Sequence, residues 1–166
     1  SKPLFDKPSS YGFTFMLNTR LKEFNQLADN SMGDKKWAVL RMDVDSLGEL
    51  LSTGLGEDRS ISRISTFSYF LSLYFNGWIN KIARDNGDYC YGIYSGGDDL
   101  FLVTSWSKAP EIAEKIHESF QEYTCHNSNI SISAGISIAP GVKYPIHKVA
   151  GMAKIALDDG SKKHEG

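Results

Sequence analysis

Asp98 and Asp99 stand side by side in YSGGDDLFLV (residues 94–103), and Asp43 lies near the end of WAVLRMDVD (residues 37–45), about 55 residues upstream. Adjacent aspartates repel each other and have poor strand propensity, so their placement calls for a cation or a special turn. Two or three carboxylates, joined by a strand-end carbonyl such as that of Val44, make an oxygen-ligand site for a hard divalent cation, Mg2+ or Mn2+. Magnesium keeps waters and accepts phosphate oxygens, so a nucleotide would complete such a half-built cage. Two metals there could lower the pKa of an attacking hydroxyl and neutralise a leaving pyrophosphate. Gly96 and Gly97 let the backbone approach a ligand with no Cβ in the way. Taken singly, each motif has a blander meaning, an exposed hairpin tip or a capped strand end. Their weight comes from occurring together in one order of elements.

That order follows from periodicity. In WAVLRMDVD, Ala38, Leu40, Met42 and Val44 alternate with Val39, Arg41, Asp43 and Asp45, which reads as a strand. A glycine-containing loop leads to a long apolar helix, roughly 60–84, ended by Asp85-Asn86-Gly87. Strands at 89–94 and 100–104 flank the Ser-Gly-Gly-Asp tip. KAPEIAEKIHESFQEYT is a helix with Pro110 near its start, ISISAGISIA is a strand, and PIHKVAGMAKIALDD is a last helix. The result is a βαββαβ unit of α+β class, a ferredoxin-like or palm arrangement with a helical layer on one face of an antiparallel sheet. It places the first strand and the hairpin together in the middle of the sheet, so that Asp43 meets Asp98 and Asp99. Residues 1–33 read as an appendage, a loop and a short helix that spaces Leu17, Leu21, Phe24 and Leu27, and residues 34–166 as the palm.

The chain has 166 residues, the size of one domain, and a net charge of -2, which argues against charge-driven wrapping of a polyanion. Cys90 and Cys125 are too few for a disulfide scaffold and lack zinc spacing. Short apolar runs and no leader-like opening give the expectation of a cytoplasmic protein with no membrane segment.

RMDVDSLG (residues 41–48) followed by YSGGDDLFLV resembles the catalytic palm domain of the large signature subunit of type III CRISPR effector complexes, nearest the III-A (Csm) branch. SRISTFSYFLSLYFNGWIN, ISISAGISI and YPIHKVAGMAKIALDDGSKK fit the same pattern, so the resemblance spans nearly all of residues 36–163. It implies a fragment of a larger protein that converts ATP into cyclic oligoadenylate when target RNA binds. It also implies partners for the whole subunit: other Csm subunits, guide RNA, target RNA and a second palm domain. Carried over, Asp43, Asp98 and Asp99 are the catalytic and metal-holding acids, Val44 lends its carbonyl, and Ser95, Gly96 and Gly97 shape the nucleotide pocket. Ser46, where Asn or Asp is commoner, caps the turn, and Lys162 is the candidate phosphate contact. Because the family's two-ATP site lies between two palms, this chain alone is expected to bind ATP weakly, with little turnover.

Ser62, Ser65, Ser68 and Ser72 form a polar stripe on the long helix. Either small residues are needed there for close contact with the sheet, or a hydroxyl, Ser68 foremost, contacts adenine or ribose. Arg41 shares the face of Asp43, where it would neutralise the acids in the absence of metal. Three other readings compete. A diguanylate cyclase would carry Glu-Phe where this chain has Asp99-Leu100. A viral-type polymerase palm would need fingers and thumb. A non-catalytic docking module of a ribonucleoprotein needs neither.

Overall fold

Alternation along β1 (Trp37–Val44) sets the architecture. In the computed structural model, which describes residues 23–45, 47–48 and 60–161, the two sides of this strand feed two separate apolar clusters. Leu40, Met42 and Val44 point one way, Trp37 and Val39 the other, as the two-residue repeat of a strand requires.

β1 lies in a four-stranded antiparallel sheet with β2 (Cys90–Gly96), β3 (Asp99–Ser105) and β4 (Ile132–Ile138), in the order β2-β3-β1-β4. The hairpin is therefore not wholly central. β3 lies beside β1, and β2 forms an edge. A helix begins at Ser60, whose hydroxyl accepts from the Arg63 amide at 3.2 Å. It runs as α2 (Ile61–Leu73), widens through a π-helical turn (Tyr74–Trp78) and continues as α3 (Ile79–Asp85). With α4 (Ala109–Tyr123), it covers the even-numbered side of β1, packing Leu71, Tyr74, Phe75, Ile79, Ile112, Ile116 and Phe120 onto Leu40, Met42, Leu100 and Leu102. The Tyr74 hydroxyl donates to the Ile116 carbonyl at 2.9 Å and ties the two helices together. Burial pushes that phenol up to about 12.

The βαββαβ order and α+β class are as expected, but the helices are not confined to one face. α1 (Phe24–Asp29) and α5 (Ile146–Ser161) pack on the odd-numbered side, where Leu27, Val149 and Ala153 join Trp37, Val39 and Val103. The Phe24 and Trp37 rings meet at 4.8 Å, so the described part of the N-terminal appendage docks on the sheet. Gly135 of β4 is what lets α5 sit so close. A Cβ there would lie 2.1 Å from the Ala153 carbonyl and 2.6 Å from the Leu157 nitrogen. Both flanking helices lie outside the βαββαβ repeat, and for that reason the repeat alone leaves their side of the sheet unassigned.

The serine stripe is also not a close helix–sheet contact. Ser62, Ser65 and Ser68 face solvent, and the helix buries Leu71, Tyr74 and Phe75 instead.

Candidate functional site

The end of β1 and the hairpin tip are joined by backbone register. Asp43 pairs with Asp99 across the β1–β3 ladder, and the Val44 amide donates to the Asp98 carbonyl at 3.1 Å. Since hydrogen-bonded and non-hydrogen-bonded pairs alternate, Asp43 and Asp99 form a non-hydrogen-bonded pair, the kind whose Cα atoms approach to about 4.5 Å. Both belong to the odd-numbered side of the sheet. The tip is a two-residue turn, Gly97-Asp98, with φ +68° at Gly97, the left-handed first position of a II′ hairpin. Gly97 thus serves the turn itself, and Asp98 rides on it.

Like charges set directly across a ladder are unfavourable, and the acids register that strain. The Asp43 carboxyl is pushed up to about 6, first by burial and then by the Asp98 and Asp99 charges. Asp99 is raised by burial and by Asp98, with Arg41 acting in the opposite direction. Asp45 leaves the cluster toward β4: its carboxylate accepts from the Ser131 hydroxyl at 2.6 Å and its amide donates to the Ser131 carbonyl at 3.0 Å.

Among the described residues, no three His, Cys, Asp or Glu side chains are gathered into a ready-made metal cage. The donors are two carboxylates facing across a ladder and a third on the adjoining turn. That set suits Mg2+, which takes one or two protein carboxylates and fills its octahedron with water and phosphate oxygens. The half-buried Asp43 carboxylate, set across the ladder from Asp99 and beside Asp98, fits a cation, whose charge offsets both the burial and the repulsion that raise its proton affinity.

A β-bulge decides what else faces the acids. Cys90 pairs with Thr104 and Gly92 with Leu102, but beyond Ile93 the register slips, so that Tyr94 pairs with Phe101 and Gly96 with Asp99. Tyr94 and Gly96 are thereby turned to the acid side. Ser95 is turned to the helical core, where it is buried and its hydroxyl donates to the Phe75 carbonyl at 2.7 Å, inside the π-helical turn. The Ser95 side chain consequently does not line a pocket beside the acids, although its backbone leads into the turn. Ser68 is exposed on α2, whose core contacts are with the opposite side of the sheet. Ser46 and Lys162 lie outside the described residues.

Two neighbours of the acids were not assigned from sequence. The Tyr94 hydroxyl lies against Asp99, whose charge raises the phenol above its ordinary range. Ser133 pairs with Asp43 from β4 and lines a groove of about 330 Å³ with Met42, Glu114 and His117. Strand alternation within ISISAGISI carries the signal for Ser133. For Tyr94 the bulge hides it.

A βαββαβ sheet with acids at the β1 end and on the β2–β3 turn is the design of a palm domain. Residues 36–166 match the family described as Cas10/Cmr2, second palm domain, and the chain belongs to that family. It is 37% identical over 155 residues to the CRISPR system single-strand-specific deoxyribonuclease Cas10/Csm1 (subtype III-A) of Methanocaldococcus jannaschii, covering 85% of this chain and 19% of the relative. The Enterococcus italicus protein of the same description is 35% identical over 148 residues, covering 89% and 19%. The chain thus spans about one fifth of the length of the curated relatives it matches. Among solved structures, a Csm1–Csm4 cassette in complex with AMPPNP is similar with TM-score 0.76 and 26% identity, over 89% of this chain and 23% of that one. A Csm1–Csm4 cassette in complex with cA4 is similar with TM-score 0.74 and 27% identity, over 84% and 21%. This chain is accordingly a palm domain of the type III-A large-subunit kind, and no helix among its described residues is long and apolar enough to cross a membrane.

Proposed function

We propose that this palm carries the catalytic acids of an ATP-consuming nucleotidyl transferase that makes cyclic oligoadenylate when the whole subunit, assembled with other Csm subunits and guide RNA, meets target RNA. The observation that carries the reading is the Asp43–Asp99 cross-strand pair with Asp98 on the turn pinned beside it. Asp43, Asp98, Asp99 and the Val44 carbonyl would hold Mg2+ or Mn2+. When bound there, such an ion supplies charge neutralisation at the phosphates and a more acidic attacking hydroxyl. The chain's own part is positional. Register fixes Asp43 against Asp99, Gly97 supplies the left-handed turn that presents Asp98, and Gly96 leaves room for the Tyr94 ring that lies over it. Ser95 braces the turn from the core. The similarity to cassettes solved with AMPPNP and with cA4 supports an adenine nucleotide as substrate. The other palm of the same subunit would complete a two-ATP site.

Calorimetric titration of ATP and GTP, each with Mg2+ or Mn2+, tests this. Weak, metal-dependent ATP binding is expected, abolished by the double substitution Asp98→Ala/Asp99→Ala, with little turnover by the chain alone. Better binding of GTP would remove the adenine assignment, and metal-independent binding would remove the acids from the site.

A second reading, a docking module within the larger subunit, is favoured by the exposed Tyr69, Phe70, Leu73 and Trp78 along the long helix. Absence of ATP binding even after the subunit's other palm is restored would select it.

A further inference from the structure

Asp98 and Asp99 are adjacent in sequence, yet their surroundings differ. Asp99 opens β3 and is flanked on its own side of the sheet by two long side chains, each two residues further along a neighbouring strand. Arg41 on β1 and Tyr94 on β2 both pair with Phe101, the next residue of β3 on that side. Diagonal neighbours of this kind lie within reach of long side chains. The Arg41 Nη2 stands 3.8 Å from Asp99 Oδ2, and its guanidinium lies 5.8 Å from the centroid of the Phe101 ring. The Tyr94 hydroxyl reaches back over the tip to within 3.4 Å of the Gly96 carbonyl. Among the described residues, Asp43 and Asp98 have no cationic partner.

The contact between Arg41 and Asp99 is a loose one. A guanidinium bound to a carboxylate through two parallel hydrogen bonds sits at 2.7–2.9 Å; here one nitrogen approaches to 3.8 Å. The Arg41 Nε is buried and makes no hydrogen bond. A side chain held by packing on an aromatic ring, with donors to spare, neutralises a carboxylate without locking it. This is the disposition of a counter-ion that can be displaced.

We propose that Arg41 is the resident counter-ion of Asp99, neutralising the carboxylate before a divalent cation binds and competing with that cation for it. The inference rests on the metal reading given under Proposed function. It divides the acids into Asp43 and Asp98, open to a cation from the start, and Asp99, which must be released by Arg41.

The test combines two measurements on the full 166-residue chain. Mn2+ affinity is measured by calorimetry for the wild type, Arg41→Met, which keeps an aliphatic stem over Phe101, and Arg41→Lys, which keeps the charge. In metal-free buffer, the stabilities of Arg41→Met, Asp99→Asn and the double variant give their coupling. Exposed or partly exposed ion pairs are worth up to about 1 kcal/mol, so Arg41→Met should bind Mn2+ about two- to fivefold more tightly, with Arg41→Lys close to wild type. The two substitutions should also be non-additive in stability. Unchanged or weaker Mn2+ binding by a folded Arg41→Met overturns the competition. Additive stabilities overturn the counter-ion assignment, and Arg41→Gln gives the same readings should the methionine variant not fold. Wild-type protein that binds no Mn2+ while the pair stays coupled overturns the metal reading instead, a result distinct from the other two.

Discussion

Asp43→Asn replaces a carboxylate that burial and two neighbouring charges make reluctant to ionise, and it should stabilise the metal-free protein. The rise from 3.8 to about 6 would correspond to about 3 kcal/mol if fully expressed. Asp43 is half-buried, and solvent screening reduces this to about 1–1.5 kcal/mol. The sign follows from where the proton sits. Above the folded-state value the native carboxylate is charged and repelled, so the full penalty is present at pH 8. As pH falls through about 6, the native state takes up the proton before the unfolded state does, and the penalty fades. Near pH 4 both states are protonating and it is nearly gone. In EDTA at pH 8 the variant should therefore melt about 2–6 °C above wild type, given about 2–4 °C per kcal/mol for a chain of this size. The gain should shrink toward zero near pH 4. Saturating Mn2+ should reverse the order, since only the wild type keeps the ligand. A variant that is no more stable than wild type at pH 8, or whose advantage is the same at pH 4 and pH 8, would refute the reasoning.

Gly135→Ala should cost about 2–3 kcal/mol, because its Cβ would meet backbone atoms of α5 at 2.1 and 2.6 Å and the helix must move. A thermal melt that does not fall by several degrees would mean the helix is not seated as described. Ser95→Ala leaves the Phe75 carbonyl without its hydroxyl donor in a buried setting and should cost about 1–3 kcal/mol. Urea denaturation would measure it, and an unchanged midpoint would mean that the carbonyl has another partner.

Periodicity carried most of the fold into the sequence. The two-residue alternation of β1 put Asp43 on the side opposite Leu40 and Met42, and the βαββαβ order put that strand beside β3, so the meeting of Asp43 with Asp99 was legible. The extra residue at Ile93 was not. Counted by strict alternation from Cys90, Ser95 falls on the acid side and Tyr94 on the core side, and the bulge exchanges them. A slip of one residue has no compositional mark in CYGIYSG, although Gly92 within the strand is the kind of residue that accompanies one. The placement of α5 was obscure for a different reason. Its cue is a single glycine, Gly135, in the middle of an alternating strand, and that glycine signals a close approach without saying what approaches.

The coverage of the sheet on both sides restricts how a nucleic acid or nucleotide can come to it. Ferredoxin-like domains that read single-stranded RNA do so with aromatic rings displayed on the open face of the central strands. Here the corresponding positions on β1 and β3, Trp37, Val39 and Val103, are fully buried beneath helices. The broad surface that other members of this topology offer to bases is closed over those two strands. Asp43 and Asp99 stand instead at the rim where β1 ends and the hairpin turns, so the acids are presented at the end of the strands and not across the breadth of the sheet.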